Sequence, residues 1–387
     1  MTERLYYQDC YLREFRARVV ETDGCRVCLD RTAFYPTSGG QPFDLGTLGG
    51  VAVREVIDED DRIAHLLEAP IGAAEEVQGR IDWERRYDHM QQHTGQHLLS
   101  AVLEDLFEIR TVSFHLGSEV STIDVDAPSL TPEQLERAEE SCAAVIAEAR
   151  PVQITFEDAS ATLELRKASE RTGTLRIVSI DKLDRSACGG THVRTTAEIG
   201  LILTGKSEKI RGTTRLEFVC GSRALRRARA DYRLLGAIGR TLSVPPEQAP
   251  ELLAGLIEKN KSLEKTTQHL ATELARREGK YLYIAAEPGP DGIRRVIQRG
   301  VIDDAMRARA QAFVSSLPPG EKAVFLAVCD QPPSLLLAAS TDSGIHAGDR
   351  VKAAVAAAHG RGGGNAQLGQ GSVPDAAALA SAEALLR

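Results

Sequence analysis

Two short segments carry the side chains best able to bind a metal. His93-Thr-Gly-Gln-His97 and Cys188-Gly-Gly-Thr-His192 each hold two metal-binding side chains four positions apart. On a helix or a tight turn, residues four apart project from one face. Three imidazoles and one thiolate form a natural tetrahedral zinc set and are unsuited to calcium or magnesium. The two pairs together therefore predict a zinc site.

The neighbours of these ligands bear on what the metal would do. In H-E-x-x-H peptidases the residue after the first His is a Glu general base, whereas Thr94 stands at that position here. Four protein ligands fit a closed structural site better than an open catalytic one. Gly189 and Gly190 favour catalysis instead, because glycines let backbone approach a substrate and offer N–H groups to an oxyanion. We favour a catalytic site, and the structural alternative stays open.

Four segments can be compared with known families: the glycine-rich Arg31–Gly46, then Asp88–Ser100, Ser113–Gly117 and Ser186–Val193. Together, and in this order, they resemble the editing domain of alanyl-tRNA synthetase and, more strongly, the freestanding alanyl-tRNA editing proteins. The resemblance implies a hydrolase that cleaves the ester joining a wrong amino acid, serine or glycine, to the tRNA for alanine. It also implies that His93, His97, Cys188 and His192 are the zinc ligands, with Gly189 and Gly190 beside them in the catalytic site.

Selection of serine over alanine needs a polar contact, because a pocket that hydrogen-bonds the serine hydroxyl discriminates strongly against an analogue lacking it. Thr32 is the favoured partner, since it lies in the glycine-rich segment, with Thr37 and Gln41 behind it. His115, in a strand-like run, is a further candidate for substrate contact. Ordinary strand packing remains the alternative for both Thr32 and His115.

The remaining histidines and cysteines are expected to have structural roles. His89 would share the helix face of His93 and is expected to pack or to support a ligand. No useful spacing links His65, His269, His346 or His359 to a partner. Cys25-Arg-Val-Cys28 follows a turn signal, and no second pair accompanies it. Seven scattered cysteines suggest no disulfide framework, which fits reduced thiols in a cytoplasmic protein.

The net charge of −8 is not typical of a nucleic-acid-binding protein, but one stretch is basic. Between Lys206 and Arg233 there are nine Lys or Arg residues against three acids. Lys209, Arg211 and Arg215 are therefore candidates for neutralising tRNA phosphates, and a solvated surface is the alternative.

A glycine-rich segment near the end of the sequence is a second candidate for RNA contact. Residues His359–Gly371 lie between two alanine-rich helical patterns and are interpreted as a functional loop. The segment resembles part of the C-terminal domain of alanyl-tRNA synthetase, which helps to hold tRNA. That resemblance implies tRNA contacts from the side chain of Arg361 and the backbone of Gly362, Gly363 and Gly364.

Hydrophobic patterns and turn signals predict four regions. Residues 1–85 are expected to form a β-rich, barrel-like subdomain, 86–220 the zinc-dependent α+β editing domain, 221–279 a helical linker, and 280–387 a C-terminal α/β domain. The predicted helices include 87–106, 131–149 and 158–171, and the apolar run Tyr281–Ala286 is predicted as a strand. Leu256, Leu263 and Leu270 form a heptad pattern, typical of a helical hairpin or a coiled coil. A homodimer through the linker or the C-terminal domain is one expectation.

No apolar signal region or bilayer-length segment is evident, so we expect no membrane association.

The glycine-rich segment begins near residue 31, which leaves no room upstream for an aminoacylation domain. We therefore expect a freestanding enzyme that hydrolyses Ser-tRNA(Ala), and also Gly-tRNA(Ala), while sparing Ala-tRNA(Ala). Two alternatives remain: a zinc-structured RNA-binding protein without catalysis, and an enzyme that edits Ser-tRNA(Thr). Serine versus glycine preference, the role of zinc, and the oligomeric state are left open.

Overall fold

The computed structural model describes residues 1–72, 75–160, 164–167, 172–315 and 317–387. The chain divides into two compact units of mixed helix and sheet, Met1–Ile238 and Gly239–Arg387. Within the described residues, none of the helices is long and apolar enough to cross a membrane.

The first unit begins with a closed six-stranded barrel. The first eight strands of the unit, six of which form the barrel, are β1 (Glu3–Arg4), β2 (Glu14–Asp23), β3 (Arg26–Leu29), β4 (Arg31–Thr32), β5 (Gly46–Leu48), β6 (Val51–Glu59), β7 (Arg62–Leu67) and β8 (Glu76–Ile81). The barrel runs in the order β2-β3-β7-β6-β5-β8, and β1 pairs with β4 beside it. Along β2, buried Phe15 and Ala17 alternate with exposed residues, as expected when one strand face lines a barrel interior.

A long helix, α1 (Trp83–Phe107), follows the barrel directly. Asp82 caps its start by accepting a hydrogen bond from the Arg85 N–H, and Glu108 ends it in a left-handed conformation. Every residue from His89 to Leu103 is buried. A helix that is buried all round lies in the middle of its domain, so α1 can present polar side chains to an internal site.

Two sheets and two more helices complete the first unit. They are β9 (Thr111–Leu116), β10 (Ser121–Val125), α2 (Pro132–Ala147), β11 (Val152–Asp158), β12 (Thr174–Ile180), β13 (Asp184–Ala187), β14 (Ile202–Ile210), β15 (Thr213–Cys220) and α3 (Gly221–Leu242), of which residues up to Ile238 belong here. One sheet has the order β14-β15-β10-β9, and the other β11-β12-β13. Leu98, Leu99 and Val102 of α1 share a core with Ile123 and Phe218 of the larger sheet.

The second unit is a five-stranded sheet with helices. Its elements are α4 (Ala249–Ala285), β16 (Ile293–Arg299), α5 (Asp304–Ser315), β17 (Lys322–Asp330), β18 (Pro333–Ala339), α6 (Ala347–Ala357), β19 (Arg361–Gly364), β20 (Leu368–Ser372) and α7 (Ala376–Leu386). The sheet order is β16-β17-β18-β20-β19, with β16 and β17 parallel and the other pairs antiparallel. Successive residues of β17 belong to two different hydrophobic cores: Leu326 packs in one and Phe325 packs in the other. Both faces of the sheet are therefore covered.

The prediction of a strand at Tyr281–Ala286 is wrong, because α4 continues through Ala285. A short apolar run fits a buried helix as well as a strand. Close packing against α5 decides between them: a Cβ added at Gly279 would lie 2.2 Å from the Arg309 carbonyl oxygen and 2.9 Å from the Ala312 Cβ. The first strand of this sheet begins only at Ile293.

Two other segments also differ in the structure from what the sequence predicts. The helix predicted at 158–171 is not present in its described part, since Asp158 ends β11 and residues 164–167 are not helical; residues 161–163 and 168–171 lie outside the described residues. The glycine-rich segment expected as a loop forms the β19–β20 hairpin. Its glycines allow close backbone packing, because a Cβ at Gly369 would lie 2.4 Å from the Ala347 carbonyl oxygen of α6.

Candidate metal centre

The four predicted ligands converge in the first unit. α1 supplies His93 and His97, and the loop after β13 supplies Cys188 and His192; one ligand atom from each lies within 4.8 Å of all the others. The Cys188 Sγ is 3.4 Å from the His93 Nε2 and 3.3 Å from the His192 Nε2. Tetrahedral zinc bonded to nitrogen and sulfur keeps its ligand atoms about 3.3 to 3.7 Å apart. The donor set therefore fits a zinc ion, as do the two distances from the Cys188 Sγ.

A second layer of hydrogen bonds orients the three imidazoles. In each ring Nδ1 is engaged by a polar side chain, which leaves Nε2 for the shared centre. The partners are the Gln41 Oε1 for His93 at 2.8 Å, the Asp184 Oδ2 for His97 at 2.7 Å, and the Thr94 Oγ1 for His192 at 3.1 Å. This arrangement is typical of metal-binding histidines.

Gln41 links the barrel side of the unit to this centre. It is fully buried, and its Oε1 also accepts the Thr191 N–H at 3.1 Å, while its Nε2 donates to the Thr191 Oγ1 at 2.8 Å. One amide thus holds both a ligand of α1 and the loop that carries the other two ligands. The sequence predicted a substrate contact for Gln41; in the structure its polar atoms contact His93 and Thr191.

Gly190 is required by the packing of the loop. A Cβ at this position would lie 2.1 Å from the His93 Cε1, and no real side chain tolerates that distance. The Gly190 N–H points at the Cys188 Sγ, 3.4 Å away. At Gly189 an added Cβ would lie 3.5 Å from the Tyr7 hydroxyl, an ordinary contact. The proposed oxyanion role of the two glycines stays a prediction.

The charges of the centre also suit a cation. Burial would raise the pKa of the Cys188 thiol, but His93 and His192 hold it well below its usual range. Burial likewise opposes ionisation of Asp184, yet His97 and Arg166 lower the pKa of its carboxyl to about 2. The site therefore holds a thiolate directly at the ligand cluster and a carboxylate behind His97.

Thr32 lies elsewhere in the barrel, with its hydroxyl already engaged. It is fully buried; its Oγ1 is 2.8 Å from the His65 Nε2 and accepts the Phe34 N–H at 3.1 Å. The His65 Nδ1 lies 3.1 Å from the Val27 carbonyl and must donate to it, so Nε2 accepts the Thr32 proton. His65, expected to have no partner, thus fixes Thr32. The substrate contact of Thr32 stays a prediction.

Thr37 and His115 are both exposed. His115 follows Phe114 on β9, and the Phe114 ring lies 5.2 Å from the His93 ring, centroid to centroid. Neighbouring residues of a strand point to opposite faces. It is therefore Phe114 that contacts the metal centre, and the substrate roles of Thr37 and His115 stay predictions.

Two pockets open beside the metal centre and share Phe114, Ala187 and Cys188. The first, of about 190 Å³, is lined by further residues that include Gln96, His97, Thr111 and Arg166. The second, of about 290 Å³, includes Tyr6, Tyr7, Tyr35, His93 and Gly189. A substrate ester at the ligand cluster could thus extend a different group into each pocket.

The predicted tRNA contacts lie in both units. Lys209 and Arg211 are exposed at the end of the β14–β15 hairpin. Arg215 is half-exposed and ion-paired with Asp124 at 2.7 Å, which reduces its availability to a phosphate. Arg361 is exposed at the start of β19 and is followed on that strand by Gly362, Gly363 and Gly364.

Sequence reasoning missed three residues that the structure brings to the centre: Thr94, Gln96 and Asp184. Thr94 and Gln96 stand inside the motif of α1, where they could have been considered. Asp184 gave no local signal, since its partner His97 is far away in the sequence. His89 is buried as expected, and its Nδ1 has no hydrogen-bond partner among the described residues.

Comparison with known proteins identifies the family. A family model described as the threonyl and alanyl tRNA synthetase second additional domain matches residues 175–217. Alanyl-tRNA editing protein AlaX-L of Pyrococcus horikoshii is 36% identical, over 73% of this chain and 74% of that protein. Alanyl-tRNA editing protein Aarsd1 of Mus musculus is 30% identical, over 99% of this chain and 97% of that protein.

Two proteins of the synthetase itself also match. The alanine–tRNA ligase of Pyrococcus abyssi is 30% identical, over 97% of this chain and 42% of the ligase. The solved C-Ala domain of Aquifex aeolicus alanyl-tRNA synthetase aligns with 24% of this chain and 86% of that domain, at 17% identity and a TM-score of 0.21. The identity and coverage of the editing proteins are decisive: the chain belongs to the family of alanyl-tRNA editing proteins, which are aminoacyl-tRNA deacylases.

Proposed function

We propose that the chain is a trans-editing deacylase that hydrolyses Ser-tRNA(Ala) and also Gly-tRNA(Ala), while sparing Ala-tRNA(Ala). The observation that carries this proposal is the convergence of His93, His97, Cys188 and His192 beside two pockets. Membership of the editing family supports the tRNA for alanine as the substrate carrier.

Zinc is the proposed ion, because the donors and their spacing suit it. A bound zinc supplies a Lewis acid that can polarise an ester carbonyl or a water. The residues of the chain perform the rest. Gln41, Asp184 and Thr94 fix the orientation of the three imidazoles through hydrogen bonds to their Nδ1 atoms. An aminoacyl ester is already activated, so accurate positioning contributes much of the rate.

The tRNA would be held by exposed cations and backbone of both units. Lys209, Arg211 and Arg361 are the leading contacts, with the backbone of β19 beside Arg361. Arg215 contributes less, because Asp124 already neutralises it. The proposal also includes the four-region division at residues 85, 220 and 279 and a cytoplasmic location. It further includes a homodimer through the helical linker, residues 221–279, or the C-terminal domain, residues 280–387. The exposed Leu256, Leu263 and Leu270 of α4 support the homodimer.

The proposal is tested by the release of labelled serine from Ser-tRNA(Ala), measured beside Gly-tRNA(Ala), Ala-tRNA(Ala) and Ser-tRNA(Thr). We expect rapid hydrolysis of the first two alone. Cleavage of Ser-tRNA(Thr) would move the assignment to threonine editing, an alternative that the description of the matching family model supports. Absence of cleavage by zinc-loaded protein would favour a non-catalytic RNA-binding role.

The His97→Ala variant tests the role of the metal centre. It removes one ligand and leaves Asp184 without its imidazole partner, so we expect loss of both bound zinc and hydrolysis. Retained hydrolysis in zinc-free variant protein would rule out the zinc-dependent mechanism.

A further inference from the structure

Gln96 lies on the same face of α1 as the two histidine ligands, since residues 93, 96, 97 and 100 share one helical face. Its side chain is 2% exposed. The amide Nε2 donates to the Ser100 Oγ at 2.8 Å, and the same oxygen accepts the Thr111 hydroxyl at 2.7 Å. The amide Oε1 has no hydrogen-bond partner among the described residues.

An unpaired buried acceptor beside a reaction centre needs a physical reason. Buried polar atoms are almost always hydrogen-bonded, because an unmade bond is not compensated by water. Within the described part of the chain the other two such atoms are the His89 Nδ1 and the Ser121 Oγ. Neither of these residues lines a pocket at the ligand cluster, whereas Gln96 lines the smaller pocket together with His97 and Cys188. Gln96, the residue that carries the unpaired oxygen, thus lines the pocket next to the ligands.

We propose that Gln96 is a specificity-determining residue: the amino acid of the substrate enters the smaller pocket, and its side-chain hydroxyl donates a hydrogen bond to the Gln96 Oε1. This inference rests on the proposed editing function. The terminal amide torsion of Gln is broad, so a small rotation can bring the acceptor to a donor. Serine supplies that donor and alanine does not.

The second pocket suits the other part of the substrate. It is larger, and the partly exposed Tyr7 lines it together with the buried Tyr6 and Tyr35. An accessible aromatic ring such as that of Tyr7 can stack on a nucleobase, so this pocket takes the terminal adenosine that carries the ester. Thr32 lines neither pocket, and its hydroxyl already donates to His65. Gln96, unlike Thr32, lines a pocket and has an unpaired acceptor, so it is favoured for recognition of the serine hydroxyl.

Serine and alanine differ in this pocket by one hydroxyl. A site built to bond that hydroxyl loses the bond with alanine and leaves its own polar atom unpaired. Glycine presents no side chain to Gln96, so Gln96 should add nothing to its binding. The substrate ammonium group is a competing donor, but it is common to all three amino acids and would give Gln96 no selectivity.

The test uses full-length, zinc-loaded protein and three stable probes, the seryl, alanyl and glycyl amides of 3′-amino-3′-deoxyadenosine. Binding of each is measured by calorimetry for the wild type, Gln96→Met, Thr32→Val and the control Gln91→Met. Gln91 is a second buried glutamine of α1, bonded to the Glu198 carbonyl and absent from both pockets. Met keeps the size of Gln and removes its polar atoms. Zinc content and melting temperature are measured for every variant.

We expect the wild type and Gln91→Met to bind the seryl amide at least about tenfold more tightly than the alanyl amide. In Gln96→Met this preference should fall to about twofold or less, with glycyl binding and zinc content unchanged. Gln96→Glu retains an acceptor oxygen and should retain the preference. Because the readout is a ratio within each variant, a modest loss of stability does not imitate the effect.

Other outcomes would overturn the inference. Equal weakening of all three amides in Gln96→Met would mean contact with the ammonium group, and loss of zinc would mean an effect through the metal centre. An unchanged preference in Gln96→Met, or its loss in Thr32→Val alone, would assign the hydroxyl elsewhere. If the wild type hydrolyses Ser-tRNA(Ala) and any of these occurs, only the inference fails. If the wild type neither hydrolyses Ser-tRNA(Ala) nor binds the amides, the proposed function fails with it.

Discussion

Gln41 does more at the metal centre than its place in a glycine-rich segment suggests. Its single amide accepts from the His93 ring and from the Thr191 backbone, and donates to the Thr191 hydroxyl. These bonds couple the imidazole of α1 to the loop that carries Cys188 and His192. Gln41 is therefore placed as a positioning residue, which would act on a bound metal ion through its ligands.

Replacement of Gln41 by Leu should lower zinc affinity about 10-fold to 100-fold, the range typical of lost support behind a ligand. Affinity would be measured by competition with a chromogenic chelator. Gln78→Leu, an exposed glutamine of the barrel, is the control and should bind zinc as the wild type does. Equal affinity in Gln41→Leu and the control would contradict the positioning role.

His65 makes the barrel sensitive to acid. Burial lowers the pKa of its imidazole to about 4, below the usual value of about 6.5. Between pH 6.5 and 4 the unfolded chain therefore binds a proton that the folded chain does not, and stability falls as pH falls through this range. Above pH 6.5 both states are neutral, and His65 imposes no penalty.

Comparison of the wild type with His65→Gln isolates this effect. From pH 7 to pH 5 the wild type should lose about 2 kcal/mol more unfolding free energy than the variant, by proton linkage. Gln can still bond Thr32 but does not titrate. The measurement is urea unfolding at both pH values, and other titrating groups cancel in the difference. Parallel losses in the two proteins would show that His65 is not the acid-sensitive group.

At the level of the helices and strands, the position of α1 depends on its close contact with the end of β15. A Cβ at Gly95 would lie 2.2 Å from the Cys220 Sγ and 3.4 Å from the Ile199 Cγ2. Gly95 therefore lets the helix lie near enough for its flanking histidines to meet the Cys188 loop. Without this contact the helix would have to move, and both of its ligands with it.

The Gly95→Ala variant should lose about 1 to 3 kcal/mol of stability, as expected for overpacking of a filled core. Gly255→Ala is the matched control, because Gly255 lies in α4 with nothing within 4 Å of an added Cβ. That change should raise stability by about 0.4 to 1 kcal/mol, through reduced freedom of the unfolded chain. Denaturant unfolding measures both. A stabilising effect at Gly95 would mean that the contact with Cys220 is loose.

Because the molecule as a whole carries a negative net charge, its binding of tRNA depends on local groups of exposed cations. The net charge is −8, and many arginines among the described residues lie in ion pairs, such as Arg215 with Asp124 and Arg299 with Asp330. Exposed cations without an acid beside them are the groups that release counter-ions from phosphate. Arg361 of the second unit, and Lys209 and Arg211 of the first, are therefore the expected anchors.

Arg361→Ala should weaken tRNA binding and reduce the slope of log affinity against log salt by about one. Hydrolysis at saturating tRNA should be little changed, since the ligand cluster lies in the other unit. Arg54→Ala removes an exposed barrel arginine that pairs with Glu68 at 3.8 Å, and serves as the control. An unchanged salt slope in Arg361→Ala would exclude a phosphate contact there.

Local sequence patterns were enough to predict the ligand set and to recognise the family. His93 with His97, and Cys188 with His192, are local patterns, so four-residue spacing on a helix or turn was enough to pair them. Long elements were also predictable, such as α1 and α2, because their periodic patterns exceed the length at which helix and strand are confused. Short apolar runs were not, as the continuation of α4 through Tyr281 showed.

The contacts around the predicted ligands become visible only in the folded structure. Gln41, Asp184 and Thr94 each reach a histidine that is distant in the chain, and no local pattern encodes such a contact. The same holds for His65 with Thr32, and for Gln96, whose unpaired oxygen becomes visible only when its neighbours are in place. Spacing along the chain determines which side chains project from the same face of a helix or strand. Packing between elements determines which of their polar atoms are already bonded and which are left for a substrate.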